Sequence, residues 1–189
     1  MTEIRSNALI ALGGNLPSSA GSPKQTLIAA ISALAKRGIR IDSVSRFYQT
    51  PCFPAGAGPD YVNAAIQVSF FESSAELLTL LHGVEAQFAR VREQRWGMRT
   101  LDLDLISVGA QILPDAETFD QWQGLPMTEQ VRMAPEQLIL PHPRIQDRGF
   151  VLRPLCDIAP DWLHPVLGVT VSEMLAALPK SELLEVQPL

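Results

Sequence analysis

Asp102 and Asp104 lie in the run Arg99-Thr100-Leu101-Asp102-Leu103-Asp104-Leu105-Ile106, and their spacing is the first chemical signal in the chain. In an extended strand, side chains at i and i+2 leave the same face. The two carboxylates therefore point together, while Leu101, Leu103 and Leu105 point into a core. Carboxylates held that close repel unless a cation or hydrogen-bond donors compensate. Hard oxygen ligands of this kind favour Mg2+, which takes a carboxylate or two and completes its shell with water and substrate phosphates. Taken alone, the pair is a weak motif and reads first as two solvated aspartates on an open sheet face. The surroundings add to it: Arg90, Arg92, Arg95 and Arg99 lead into the strand, and Arg144 and Arg148 form a second group. Such a run also fits a solvated, salt-bridged helix face. Arginine's planar fork, however, suits phosphate oxygens, and aspartates beside arginines describe a clamp for a polyphosphate.

Other chemistries lack a signature. The chain has no Gly-x-x-x-x-Gly-Lys-Ser/Thr loop and no Gly-x-Ser-x-Gly elbow, and neither Cys52 nor Cys156 has a histidine next to it. Gly13-Gly14-Asn15 lacks the full dinucleotide fingerprint and reads as a turn. His82 reads as a packed or solvated helix residue and His164 as loop, so no general base stands out.

The clamp needs elements to position it. Strand 101–108 carries the aspartates. An apolar run over 7–12, stopped by Gly13-Gly14-Asn15, predicts a buried strand, and helical spacing of Leu27, Ile28, Ile31 and Leu34 predicts a helix over 24–36. A second strand is expected over 40–48, followed by a Pro/Gly-rich loop over 51–59 that is a candidate lid. Alternation over 61–71 is the clearest strand signal, and Ser73 or Ser74 caps a helix expected over 75–91. The order βαββαβ predicts an α/β (α+β) fold, a ferredoxin-like sandwich with a mainly antiparallel sheet. Additional C-terminal helices are expected near 150–158 and 171–178. The polar stretch 114–136 reads as an enlarged connection with a short helix near 128–133.

With 189 residues, 47% hydrophobic and 19% charged, the chain is expected to form a single domain over 1–189 rather than a disordered segment. A net charge of −5 argues against a nucleic-acid partner or an anionic membrane bound over a broad surface. The 15 basic residues nevertheless include only three lysines (Lys24, Lys36, Lys180), so the small overall charge hides local arginine clusters. No apolar run reaches the length of a membrane span. Two cysteines offer no disulfide framework, and the N-terminus lacks a signal-peptide profile, so a cytoplasmic protein is expected.

Several segments in order carry a resemblance: Ala11-Leu12-Gly13-Gly14-Asn15-Leu16, Ser45-Arg46-Phe47-Tyr48-Gln49-Thr50-Pro51, Pro59-Asp60-Tyr61-Val62-Asn63-Ala64-Ala65, Glu85 with Arg90-Val91-Arg92, Arg95-Trp96-Gly97, the aspartate run, Leu140-Pro141-His142-Pro143-Arg144, and Arg148-Gly149-Phe150-Val151-Leu152-Arg153-Pro154-Leu155. Over about residues 8–160 the chain resembles the 6-hydroxymethyl-7,8-dihydropterin pyrophosphokinases, folate-pathway transferases that move pyrophosphate from ATP to a pterin alcohol and release AMP. The resemblance implies that Asp102 and Asp104 bind two Mg2+ ions bridging the ATP phosphates. It implies an ATP site of Glu85, Arg92, Trp96, Arg99, His142 and Arg148, with Arg90 as a lid arginine and Arg90 and Arg99 counted with the catalytic groups. Pterin would be held by Asn63, between Tyr61 and Phe150, against the 50–53 backbone that includes Thr50, Pro51 and Phe53. A monomer is implied. Four positions depart from the family pattern. Gly14 stands where Ser is frequent, a change expected to matter little in a turn. Met98 replaces a small residue or proline, Gln137 lies near a further ATP-facing arginine of some members, and His82 replaces a frequent glutamine.

Overall fold

The computed structural model describes residues 5–52, 56, 58–88, 99–130 and 133–189. Strand β1 (Ser6–Gly14) runs into helix α1 (Pro23–Lys36). Ser22 caps this helix, its side chain accepting from the Gln25 N–H while the Gln25 side chain accepts from the Ser22 N–H. Strands β2 (Arg40–Val44), β3 (Tyr48–Thr50) and β4 (Tyr61–Phe70) follow, then α2 (Ser74–Gln87) and β5 (Asp102–Val108). Helices α3 (Ala116–Gln123), α4 (Met127–Gln130), α5 (Gly149–Ile158), α6 (Val171–Ala177) and α7 (Lys180–Glu185) and the short strand β6 (Gln187–Pro188) complete the order.

The six strands form one antiparallel sheet in the order β5-β1-β4-β3-β6, with β2 also paired to β4. Counting β2 and β3 as one interrupted strand gives the expected ferredoxin-like order. The expected single strand over 40–48 is thus corrected to two. Its interruption has a local cause. Ser45 bonds β4 through both its backbone and its hydroxyl, with Ser45 N–H donating to the Ala65 carbonyl and Ser45 Oγ accepting from Ala65 N–H. Arg46 then turns away to make a forked ion pair with Asp157 on α5, which also accepts from the Tyr48 hydroxyl.

Both faces of the sheet are covered, giving three layers. On one face Leu27, Leu34, Leu77 and Leu81 from α1 and α2 pack on Ile10, Leu12, Ile66, Leu103 and Leu105. On the other, Val151, Leu155, Val171 and Met174 from α5 and α6 pack on Leu9, Ala11, Ala65 and Ile106. The C-terminal helices are therefore a structural layer as well as an appendix to the motif. The tail closes the far edge: β6 pairs with β3, and Leu189 N–H donates to the Phe47 carbonyl.

In the enlarged connection, only a helix near 128–133 is expected from the sequence. The structure has two, α3 and the shorter α4. The signal for α3 was present in Asp115, whose carboxylate accepts from Thr118 N–H at 2.8 Å as an N-cap. The connection leaves and rejoins the body at one point, where Leu113 and Leu140 exchange two backbone hydrogen bonds.

Candidate active site

Strand β5 holds Asp102 and Asp104 on one face, as their spacing requires, and buries Leu101, Leu103 and Leu105 beneath them. Each carboxylate faces an arginine. Arg99 pairs with Asp102, and Arg148 Nη1 lies 3.8 Å from Asp104 Oδ2. Partly solvated pairs of this kind contribute about 0–1 kcal/mol, so exchanging a partner for a phosphate or a cation costs little. Burial pulls the Arg148 guanidinium down from its ordinary pKa, and Asp104 pushes it back up.

β5 is an edge strand, and its free edge is held by side chains and loops rather than by another strand. The buried Glu85 of α2 accepts from Leu103 N–H at 2.8 Å, directly between the two aspartates. A β-bulge shifts the β1–β5 register near Ile106, and the Ile106 carbonyl accepts from His142 N–H at 2.8 Å. Bulges of this kind re-aim a strand next to a site; here it seats the Leu140-Pro141-His142 turn beside the aspartates. His142 Nδ1 accepts from Arg144 N–H, which leaves the proton of the neutral ring on Nε2. Desolvation and the nearby Arg148 push its pKa down to about 3, so His142 is a neutral donor at physiological pH.

One strand inward, Gly13 of β1 pairs with both Asp102 of β5 and Asn63 of β4. Asn63 is buried and its Nδ2 donates to Thr50 Oγ1 at 2.9 Å. Tyr61, at the head of β4, and Phe150, in the first turn of α5, flank the same space, and Phe150 is exposed. Burial raises the Tyr61 phenol pKa. Thr50, Tyr61, Asn63 and Phe150 line one cavity of about 870 Å3, large enough for two small substrates.

Thr50, Pro51, Tyr61, Asn63, Arg99, Asp102, Asp104, His142, Arg148 and Phe150 all line that cavity. Glu85 lies beneath it as a support of the strand. Phe53, Arg90, Arg92 and Trp96 lie outside the described residues, as do Met98 and the expected end of the second helix. Among the described residues no group of three or more potential metal ligands forms from protein alone. Two carboxylates with room beside them fit Mg2+, whose shell relies on water and phosphate oxygens.

Residues not singled out as site groups also contribute. Asn15, buried in the first turn, accepts from Arg99 N–H at 2.8 Å and donates to the Pro59 carbonyl at 3.0 Å. It joins the aspartate strand to the end of the 51–59 loop. Gly14 corrects the expectation that its side chain matters little. It ends β1, and a Cβ there would lie 2.5 Å from the Thr100 carbonyl oxygen, so a serine requires the 99–100 backbone to move. Arg144 lines the cavity and pairs with Asp147. Trp122 and Met133 line it from the enlarged connection, Gln137 from just past its end, and His82 from α2.

A cavity that faces carboxylates and arginines toward a pocket rimmed by aromatic and amide groups, on a ferredoxin-like sheet, defines an α/β phosphotransfer enzyme. The comparisons narrow the class. The sequence model of the 7,8-dihydro-6-hydroxymethylpterin-pyrophosphokinase family matches residues 9–160, and the chain belongs to that family. A 2-amino-4-hydroxy-6-hydroxymethyldihydropteridine pyrophosphokinase of Synechocystis is 36% identical over 169 residues, 89% of this chain and 74% of the relative. Its namesake from Pseudomonas aeruginosa is 36% identical over 172 residues, 90% of each chain. The Methylorubrum extorquens protein of the same name is 34% identical over 176 residues, 92% of this chain and 94% of its own. Among solved structures, the Plasmodium falciparum HPPK-DHPS matches 92% of this chain with a TM-score of 0.63 at 13% identity. An HPPK-DHPS in complex with substrates matches 97% with a TM-score of 0.66 at 13% identity. The chain spans 44% and 46% of those two solved chains, and at that identity the likeness concerns the fold.

Proposed function

We propose that this cavity carries out the family's reaction, ATP-dependent transfer of pyrophosphate to the hydroxyl of 6-hydroxymethyl-7,8-dihydropterin in folate biosynthesis, with AMP released. The observation that carries it is the union, in one cavity, of the Asp102/Asp104 pair with its arginines and of the Tyr61, Asn63 and Phe150 pocket. The flat pterin ring lies between Tyr61 and Phe150. The Asn63 amide reads its edge, which mixes donors and acceptors. Its hydroxymethyl oxygen attacks the β-phosphorus of ATP in line, forming a P–O bond as the bond to the AMP oxygen breaks, and the hydroxyl proton passes to solvent.

Arg99 and Arg148 stabilise charge on the non-bridging oxygens, and His142 donates from Nε2. Asp102 and Asp104 are the residues that would hold Mg2+, two ions in this proposal. Bound there, Mg2+ would supply positive charge to offset the negative charge of the phosphates. Arg90, Arg92, Trp96 and Phe53 belong to the proposal by family position alone. Glu85 acts through strand β5. Residues 1–189 are taken as one catalytic unit, working as a cytoplasmic monomer; among the described residues no helix is long and apolar enough to cross a membrane.

The test is incubation of the protein with ATP, Mg2+ and 6-hydroxymethyl-7,8-dihydropterin, followed by mass analysis of both products. Pyrophosphorylated pterin with AMP is expected, and Asp102→Ala or Asp104→Ala should abolish it while the far-UV dichroism stays native. An adenylated product with free pyrophosphate would sink the proposal in favour of nucleotidyl transfer. Wild-type rates in either variant would sink the aspartate assignment.

A further inference from the structure

The enlarged connection over 114–136 is long for a surface link, and the structure shows that it is anchored. Its two ends meet in the Leu113–Leu140 backbone bridge. Its helix α3 inserts Phe119, fully buried, against the His164 ring at 5.6 Å. Trp162 packs on the other contact of that ring at 5.5 Å and donates its indole N–H to the Gly109 carbonyl just past β5. One turn beyond the buried Phe119, α3 places Trp122 in the wall of the active-site cavity. Trp122 is half-buried. Among the described residues its ring stacks on no other ring and its indole N–H has no hydrogen-bond partner.

Position along the sheet says which substrate this wall meets. Asn63 lies on β4, two strands inward of β5, so the pterin side of the cavity is over the interior of the sheet. The connection both leaves and returns beyond the outer edge of β5, where Leu78 and His82 of α2 and Leu138 and His142 also line the cavity. With the aspartates between the two sides, the outer side receives the part of ATP that lies past its phosphates. An apolar wall with an unpartnered indole face suits a purine, which every aromatic face can stack on.

We propose that helix α3 of this connection is a nucleotide clamp and that Trp122 stacks on the adenine of ATP, making it a base-contact residue of the donor site. This rests on the proposed reading of the cavity and adds to it a determinant outside the family motifs. The aspartates and arginines then hold the phosphates, while base affinity is set by helix α3.

The deciding experiment is calorimetric titration of the full chain with MgATP and, separately, with Mg-tripolyphosphate, which carries the phosphates without the base. Stacking of one base is worth about fivefold to somewhat over a hundredfold in affinity by alanine substitution. Trp122→Ala should weaken MgATP by about tenfold or more and leave tripolyphosphate within twofold, and Trp122→Phe should restore most of the loss. Trp122→Leu, which keeps an apolar wall without a ring, should behave like the alanine variant and serves if alanine does not fold. Equal losses for both ligands, full affinity in the leucine variant, or no loss for MgATP would overturn the clamp. If wild type binds MgATP with Trp122 as described but forms no pyrophosphorylated pterin, the catalytic reading fails and the clamp stands; a wild type that binds no MgATP overturns both.

Discussion

His164 makes the acid stability of this protein predictable. It is fully buried between Phe119 and Trp162, and its Nδ1 accepts from Val166 N–H and Leu167 N–H, both at 3.2 Å. Protonation at Nδ1 would break both bonds and place a charge in an apolar setting. Desolvation accordingly pushes its pKa from 6.5 down to about 4. Because the folded pKa is the lower one, unfolding takes up a proton at pH values between the two. The stabilisation is complete above about pH 6.5 and is lost as pH falls toward 4. One pKa unit corresponds to about 1.4 kcal/mol, so the full effect is about 3 kcal/mol, and linkage between pH 7 and pH 5 gives roughly 2 kcal/mol. For a chain of this size that amounts to a fall in Tm of about 4–8 °C.

The assay is urea denaturation at pH 7 and pH 5 for wild type and for His164→Asn, whose amide oxygen can accept in place of Nδ1 but does not titrate. The variant loses ring packing and should be less stable by a constant offset at both pH values. His142, pushed down to about 3, adds the same pH-dependent loss to both proteins. Wild type should therefore lose roughly 2 kcal/mol more than the variant over this interval. Equal losses in the two proteins would refute the reasoning.

Two further substitutions probe the supports of the aspartate strand. Glu85→Ala removes the buried acceptor of Leu103 N–H and should destabilise by about 3 kcal/mol, a fall in Tm of about 6–12 °C by calorimetry; kcat should drop as well, and Glu85→Gln should recover most of the stability. A Tm within 2 °C of wild type in the alanine variant would remove Glu85 from this role. Asn15→Ala breaks the bonds to Arg99 N–H and the Pro59 carbonyl and should cost about 2–3 kcal/mol in urea denaturation. Its catalytic loss should show in kcat/KM for both substrates, because one side chain ties the Arg99 backbone to the 51–59 loop; a loss confined to one substrate would refute that coupling.

Much of the chemistry was legible locally. The i, i+2 spacing of Asp102 and Asp104 put both carboxylates on one face, and the alternation of 61–71 put Asn63 on the strand that reads β4. Periodicity reports which face of an element is buried, and the motif order did the rest for the family. The same logic misread 40–48 as one strand, because the break at Ser45 depends on a hydroxyl bonding Ala65 and on Arg46 reaching Asp157, 111 residues away.

The chain by itself therefore determined the βαββαβ order, the aspartate pair and the arginine excess, since each is set by neighbours along the sequence or by composition. Only tertiary structure decided that Glu85 supports the strand from beneath, that Asn15 spans 84 residues to hold Arg99, and that the loop residue His164 is fully buried. It also showed that the enlarged connection puts Trp122, Met133, Pro135 and Glu136 in the wall of the site. The physical reason is common to all of these. A buried polar group must find its partner wherever the fold supplies one, and an aromatic ring is buried by whatever element packs against it, so neither leaves a periodic trace in the segment that carries it.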